Sequence, residues 1–274
     1  WGREHILSRA EEQQLAGAAE VGSAPSDIFT TFTNADMTFP DAVDSQGNRH
    51  AVTNGSYISL MESPDRALRK SAFESLYGVY GSCENTLATA YNAEVRKNLF
   101  FARARKYAGA LESALEPVEI PTAVYHNLID TVRENLPQLH RYMALRKKAM
   151  GLSELHLYDI YASMLPEAQA DISSDQARDE VIEAMGVLGQ EYQSVLKSSF
   201  DARWMDIYEN KGKRSGAYSC GCPGCHPFVL LNHKNTLDSE FTLAHEMGHA
   251  MHTYLSDHAQ PSIYADYVLF VAEV

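Results

Sequence analysis

The stretch Phe241-Thr242-Leu243-Ala244-His245-Glu246-Met247-Gly248-His249-Ala250-Met251-His252 decides how the rest of the chain is read. Its apolar members Phe241, Leu243, Ala244, Met247 and Met251 fit a helix, and Thr236 or Asp238 just upstream can cap the first turn. On such a helix His245 and His249 share one face, about 6 Å apart along the axis. Two imidazoles at that spacing can hold one metal ion. Glu246 sits beside them, where a carboxylate can take a proton from water that the ion activates without being a ligand itself.

This His-Glu-x-x-His pattern is the one that zinc peptidases use, and a hydrolytic zinc generally keeps three protein ligands and one open position. His252 does not supply the third. It lies seven residues from His245, a rise of about 10 Å, too far for three rings to meet one ion on an unbroken helix. A longer pattern with a Gly and a third His fails too, because His252 and Leu255 occupy those positions. Downstream the acidic residues are Asp257, Asp266 and Glu273. Asp257 lies in a stretch rich in Ser, Asp and Pro that reads as a turn. Asp266 could equally open a helix or carry an exposed charge. Glu273 falls in the apolar run Tyr267 to Val274, where a buried carboxylate is costly unless paired or bound to metal. On a second helix packed against the first it would complete a His, His, Glu set.

Several segments together resemble the oligopeptidase F branch of the thimet oligopeptidase family. They are Gly212 to Ser219, Pro227 to Asn232, Thr236 to Asp238, Phe241 to His249 and Phe270 to Val274, with His140 to Lys148 and Leu155 to Tyr161 upstream. The resemblance implies a mainly α, helical zincin-type peptidase fold with a small β element near the site. It implies a zinc endopeptidase acting on short, unstructured peptides, with one zinc on His245, His249 and Glu273 and with Glu246 as general base. Members of that family are longer, with later helices that bring tyrosine and histidine side chains to the substrate. The expectation is therefore a partial catalytic domain, truncated after the third ligand and completed by a second chain or a missing C-terminal segment. Trp1 in place of Met is in keeping with a processed or excised piece. The alternative is an inactive or non-catalytic fragment that binds peptide or a partner chain.

Composition restricts the partners. A net charge of −13 works against nucleic-acid and anionic-membrane binding, which need basic patches. Apolar runs fall short of the 18 or more residues of a membrane span, and the chain opens without a signal peptide, so a cytoplasmic protein is expected. With 274 residues and 45% hydrophobic content the chain can bury a substantial core.

Along the chain, residues 1–62 are expected as an N-terminal segment with a helix and an irregular or short-strand region, and 63–274 as the helical catalytic region. Helical spacing runs from Pro64 to Glu116, from Pro121 to Met150 with Gly151 as a stop, and from Ser173 or Ser174 to about Tyr208. Ile28 to Tyr57 alternates like short strands or an irregular hairpin, with a turn at Asp44 to Asn48. Phe228 to Asn232 reads as a strand entering the motif helix, and an edge strand beside such a site could pair with an extended peptide. Tyr218, Phe228, Val229 and Leu230 are accordingly candidate substrate contacts. Lys213 and Arg214 could reach peptide carbonyls or could simply be solvated. Cys83 reads as a small core residue. Cys220, Cys222 and Cys225 beside His226 suit a flexible thiol-bearing loop, a second metal or redox site, or a disulfide.

Overall fold

Residues 3–165 and 171–273 are described by the structure, a computed structural model. Their helices are α1 (Arg9–Gly22), α2 (Ala24–Thr31), α3 (Tyr57–Glu62), α4 (Arg66–Ser82), α5 (Glu84–Ala104), α6 (Ala110–Leu115), α7 (Thr122–Ala149), α8 (Ser174–Ala184), α9 (Gln190–Asp201), α10 (Leu237–Ala259) and α11 (Leu269–Ala272). The strands are short: β1 (Ala42–Val43), β2 (Arg49–His50), β3 (Met205–Asp206), β4 (Tyr218–Cys220) and β5 (Phe228–Leu230). The chain is thus mainly α with a small β element, as the sequence implied. None of the described helices is long and apolar enough to cross a membrane.

Two compact units are present, Trp1–Phe39 with Glu74–Ile160, and Pro40–Phe73 with Tyr161–Val274. The first is helical. Ser8 opens α1 with a reciprocal cap, its hydroxyl accepting from the Glu11 N–H while the Glu11 carboxylate accepts from the Ser8 N–H. A two-pronged pair between Arg105 and Glu12, 2.8 Å at each prong, ties α1 to the end of α5.

The second unit builds its core from Ile172, Val181, Leu196, Trp204, Val229, Leu243, Met247 and Met251 among others. Its three-stranded sheet runs β3-β5-β4, with β5 parallel to β3 and antiparallel to β4. Helix α10 begins where Thr236 Oγ1 accepts from the Ser239 N–H at 3.2 Å, so Thr236, not Asp238, is the cap. Asp238 and Glu240 then sit in the first turn, where negative charge suits the helix dipole. Leu243, Met247, Ala250 and Met251 bury one face of α10.

Three expectations are corrected. The run from Pro64 to Glu116 is three helices, interrupted at Cys83 and again where Lys106 adopts φ +65°. The run toward Tyr208 breaks at Gly189, whose φ of +100° is a conformation only glycine takes readily, and it ends before β3. Residues 28–36 are helical, because Pro25 and Asp27 in the first turn of α2 favour a helix start over a strand. The hairpin is confined to β1 and β2, with Asp44 to Asn48 at the turn as expected. Phe241 is 68% exposed, since it shares the His245 face of α10 and not the core face.

Candidate metal centre

Helix α10 presents His245 and His249 on its outer face while its inner face is locked into the core. Their Nε2 atoms lie 3.0 Å apart. Glu273, at the C-terminal cap of α11, straddles the pair: one carboxylate oxygen is 3.7 Å from His245 Nε2 and the other 3.7 Å from His249 Nε2. Among the described residues this is the group whose donor atoms gather within 4.8 Å of one another.

The donor set fits zinc. Nitrogen at about 2.0–2.1 Å and oxygen at about 2.0–2.2 Å around a tetrahedral ion stand roughly 3.3–3.5 Å from each other. The observed separations bracket that range within a few tenths of an ångström. Two imidazoles and one carboxylate are also the ligand chemistry of hydrolytic zinc sites. His245 is exposed, which leaves one side of the cluster open to solvent.

Glu246 behaves differently from the ligand candidates. Its side chain is buried, and Oε2 has no hydrogen-bond partner. Burial pushes its carboxyl above the ordinary Glu range, while His249, His245 and the Ser219 amide pull the other way and the Glu273 charge adds to the rise. An orphaned buried oxygen beside an imidazole pair is costly unless something outside the chain engages it.

The third donor reaches the site by a route the sequence did not disclose. Glu273 is half exposed, and Leu269, Phe270 and Val271 are exposed as well, so the expected burial of this run is not found. What holds the segment is Tyr267. Its ring stacks on His252 at 3.7 Å, its hydroxyl is 2.7 Å from Thr253 Oγ1, and it donates to the His249 carbonyl at 3.4 Å. Ser256 Oγ adds a bond to the Ala265 carbonyl at 2.6 Å. This stacking turns the His252 ring to Tyr267, and His252 is not part of the His, His, Glu cluster. The sequence signal was Tyr267 itself, fifteen residues after His252, but only contact in space gives it meaning. Asp266 accepts from the Tyr267 N–H at 2.9 Å, and neither Asp266 nor Asp257 joins the cluster.

The strand expectation is corrected. β5 is the central strand, paired on both sides, so Phe228, Val229 and Leu230 offer no free backbone edge. Val229 is also buried in the core. The edge beside α10 belongs to β4, which carries the exposed Tyr218 and places the Ser219 amide against Glu246. Lys213 is engaged with its own loop, its ammonium donating to the carbonyls of Asp206 and Tyr208 at 3.1 and 2.7 Å. Cys220, Cys222 and Cys225 are free thiols on the surface, outside the His, His, Glu cluster.

Residues 59–274 match the family model described as Peptidase family M3, and residues 2–39 match the one described as Oligopeptidase F. Oligopeptidase PepF of Bacillus subtilis is 45% identical over 272 residues, covering 99% of this chain and 41% of that protein. Group B oligopeptidase PepB of Streptococcus agalactiae is 42% identical, covering 98% of this chain and 45% of that protein. The crystal structure of a putative peptidase from Chlamydophila abortus superposes with a TM-score of 0.72 at 35% identity, covering 100% of this chain and 46% of that one. The chain therefore spans less than half the length of the relatives it matches.

Proposed function

The chain belongs to peptidase family M3, and from that premise we propose that it carries the metal centre of a zinc-dependent endopeptidase that hydrolyses short, unstructured oligopeptides. The observation that carries the reading is the convergence of His245, His249 and Glu273 beside a buried, unpartnered Glu246 oxygen. The two relatives named as oligopeptidases support the substrate class.

His245 and His249 would hold one zinc through Nε2, which fixes the ring proton of each on Nδ1, and Glu273 would add a carboxylate oxygen. The ion, when bound, supplies Lewis acidity that polarises a peptide carbonyl and acidifies water. Glu246 accepts the proton of the attacking water at Oε2 and returns it to the departing nitrogen, so one carboxylate serves as base and then as acid. β4 is the edge along which an extended peptide backbone can align, with Tyr218 exposed beside it. The reading also places the protein in the cytoplasm, where free surface thiols stay reduced.

The second reading is a peptide- or partner-binding piece without turnover. Native mass spectrometry of the chelator-stripped chain, reloaded with zinc, and a peptide-cleavage assay separate the two. The peptidase reading expects one zinc per chain, an affinity at least about a hundredfold weaker in Glu273→Gln, and chelator-sensitive cleavage. In Glu246→Gln that cleavage should fall about 10²–10⁴-fold while the zinc is retained. Zinc without cleavage in the unaltered chain would select the binding reading, and absence of zinc would overturn the metal centre.

A further inference from the structure

The loop joining β4 to β5 carries Cys222-Pro223-Gly224-Cys225, and the peptidase reading makes no use of it. The Cys225 N–H donates to the Cys222 carbonyl at 3.2 Å, and Gly224 has φ +94°. Proline followed by a residue of positive φ, closed by that bond, is the type II turn. Such a turn holds its first and last Cα atoms within about 7 Å, and a disulfide needs about 4.4–6.8 Å. The side chains agree with the backbone. Cys225 Sγ donates to the Cys222 carbonyl at 3.3 Å, and Cys222 Sγ donates to the Pro223 carbonyl at 3.7 Å, so both thiols lie on the same turn. The neighbouring Cys225 thiol, and to a smaller extent desolvation and then the Asp257 carboxylate, raise the Cys222 thiol above its usual range. Both thiols are exposed and free, so a small reagent can reach them. They belong to no three-donor metal cluster among the described residues.

The turn is joined to the helix of the metal centre. At Gly221, immediately before Cys222, an added Cβ would fall 2.5 Å from the Thr253 methyl of α10. Thr253 in turn bonds Tyr267, and Ser219, two residues before Gly221, faces Glu246 through its amide.

We propose that Cys222 and Cys225 form a reversible dithiol–disulfide site, oxidised by small-molecule disulfides, and that closing it stiffens β4 beside Glu246. One cysteine thiolate attacks a sulfur of the small disulfide, the S–S bond breaks, and one thiol leaves. The second cysteine thiolate attacks the resulting mixed disulfide and releases the other thiol. In sum, two cysteine thiols and one small disulfide give one protein disulfide and two small thiols, with two electrons passing to the reagent. A strained or exposed pair of this kind is a labile one, suited to sensing and not to structural bracing. The site stands whether or not the peptidase reading does.

Oxidised glutathione is the probe, applied to the full chain, with free thiols then trapped by iodoacetamide and the peptides mapped by mass spectrometry. The expected product is a Cys222–Cys225 link, removed by dithiothreitol, with Cys83 and Cys220 alkylated. Cys222→Ser should instead retain one glutathione on Cys225. Because the turn preorganises the pair, the equilibrium constant for the link should be at least about tenfold larger in buffer than in urea. A link through Cys220, a persistent mixed disulfide in the unaltered chain, or equal constants in buffer and urea would overturn the site. Hydrogen exchange should slow in residues 217–220 on oxidation, and unchanged exchange there would overturn the coupling to β4.

Discussion

Helix α10 and the segment after it, residues 261–273, bring donors to the same cluster, yet they are held in place by different means. α10 is capped by Thr236, and it buries Leu243, Met247, Ala250 and Met251 in the core of its unit. The following segment leaves Ile263, Tyr264, Leu269 and Val271 exposed and relies on the Tyr267 and Ser256 tethers to reach its partner. The lesson is that His245, His249 and Glu246 inherit their positions from packing, whereas Glu273 depends on a few polar and aromatic contacts. Packing is dense and cooperative, so it fixes a side chain more firmly than single bonds near the surface.

Substitutions on the two sides should separate accordingly. Met247→Ala removes a fully buried side chain from under the motif and should cost about 2–5 kcal/mol in urea unfolding. Its counterpart Leu269→Ala, at a position 70% exposed, should change stability by no more than about 0.5 kcal/mol. Equal costs would break the distinction between a packed and a tethered donor. Next in size, Thr236→Ala removes the cap of α10 and should cost about 1 kcal/mol. Restoration by Thr236→Ser in the same assay would assign that cost to the cap.

The smallest effect should appear as pH dependence. In the unit that holds the site, burial raises the Glu209 carboxyl, but bonds from Lys234 and from Thr53, the latter at 2.8 Å, outweigh it and leave the group below the usual Glu range. A lowered folded-state pKa means stability that is present above the unfolded value, about 4.3, and is lost as pH falls through the folded value. Unfolding midpoints of the unaltered chain and of Glu209→Gln should therefore converge between neutral pH and pH values below about 4.3. A constant difference across that range would show that the pair contributes by shape and not by charge.

Much of the site was legible because it is local. The His245, Glu246 and His249 spacing needs only the 3.6-residue period to predict a shared face, and the apolar positions name the buried side of the same helix. Glu273 was reached by elimination, but the reason first given for it, burial in an apolar run, is not the one the structure provides. Similarly, Val229 and Leu230 read well as a strand, and only pairing with both β3 and β4 revealed that the free edge lies at Tyr218 to Cys220. Helix breaks at Lys106 and Gly189 were missed because the flanking residues keep helical composition and the interruption depends on one positive φ.

The sequence by itself determined a mainly helical chain, the chemistry of the donor set and the role open to Glu246, since residue type and spacing along one helix suffice for these. Only the tertiary structure decided that Glu273 meets His245 and His249, that Tyr267 holds it there, and that β4 is the edge strand. Those facts depend on approaches between residues distant along the chain, and such approaches are set by which faces find complementary partners when the core closes.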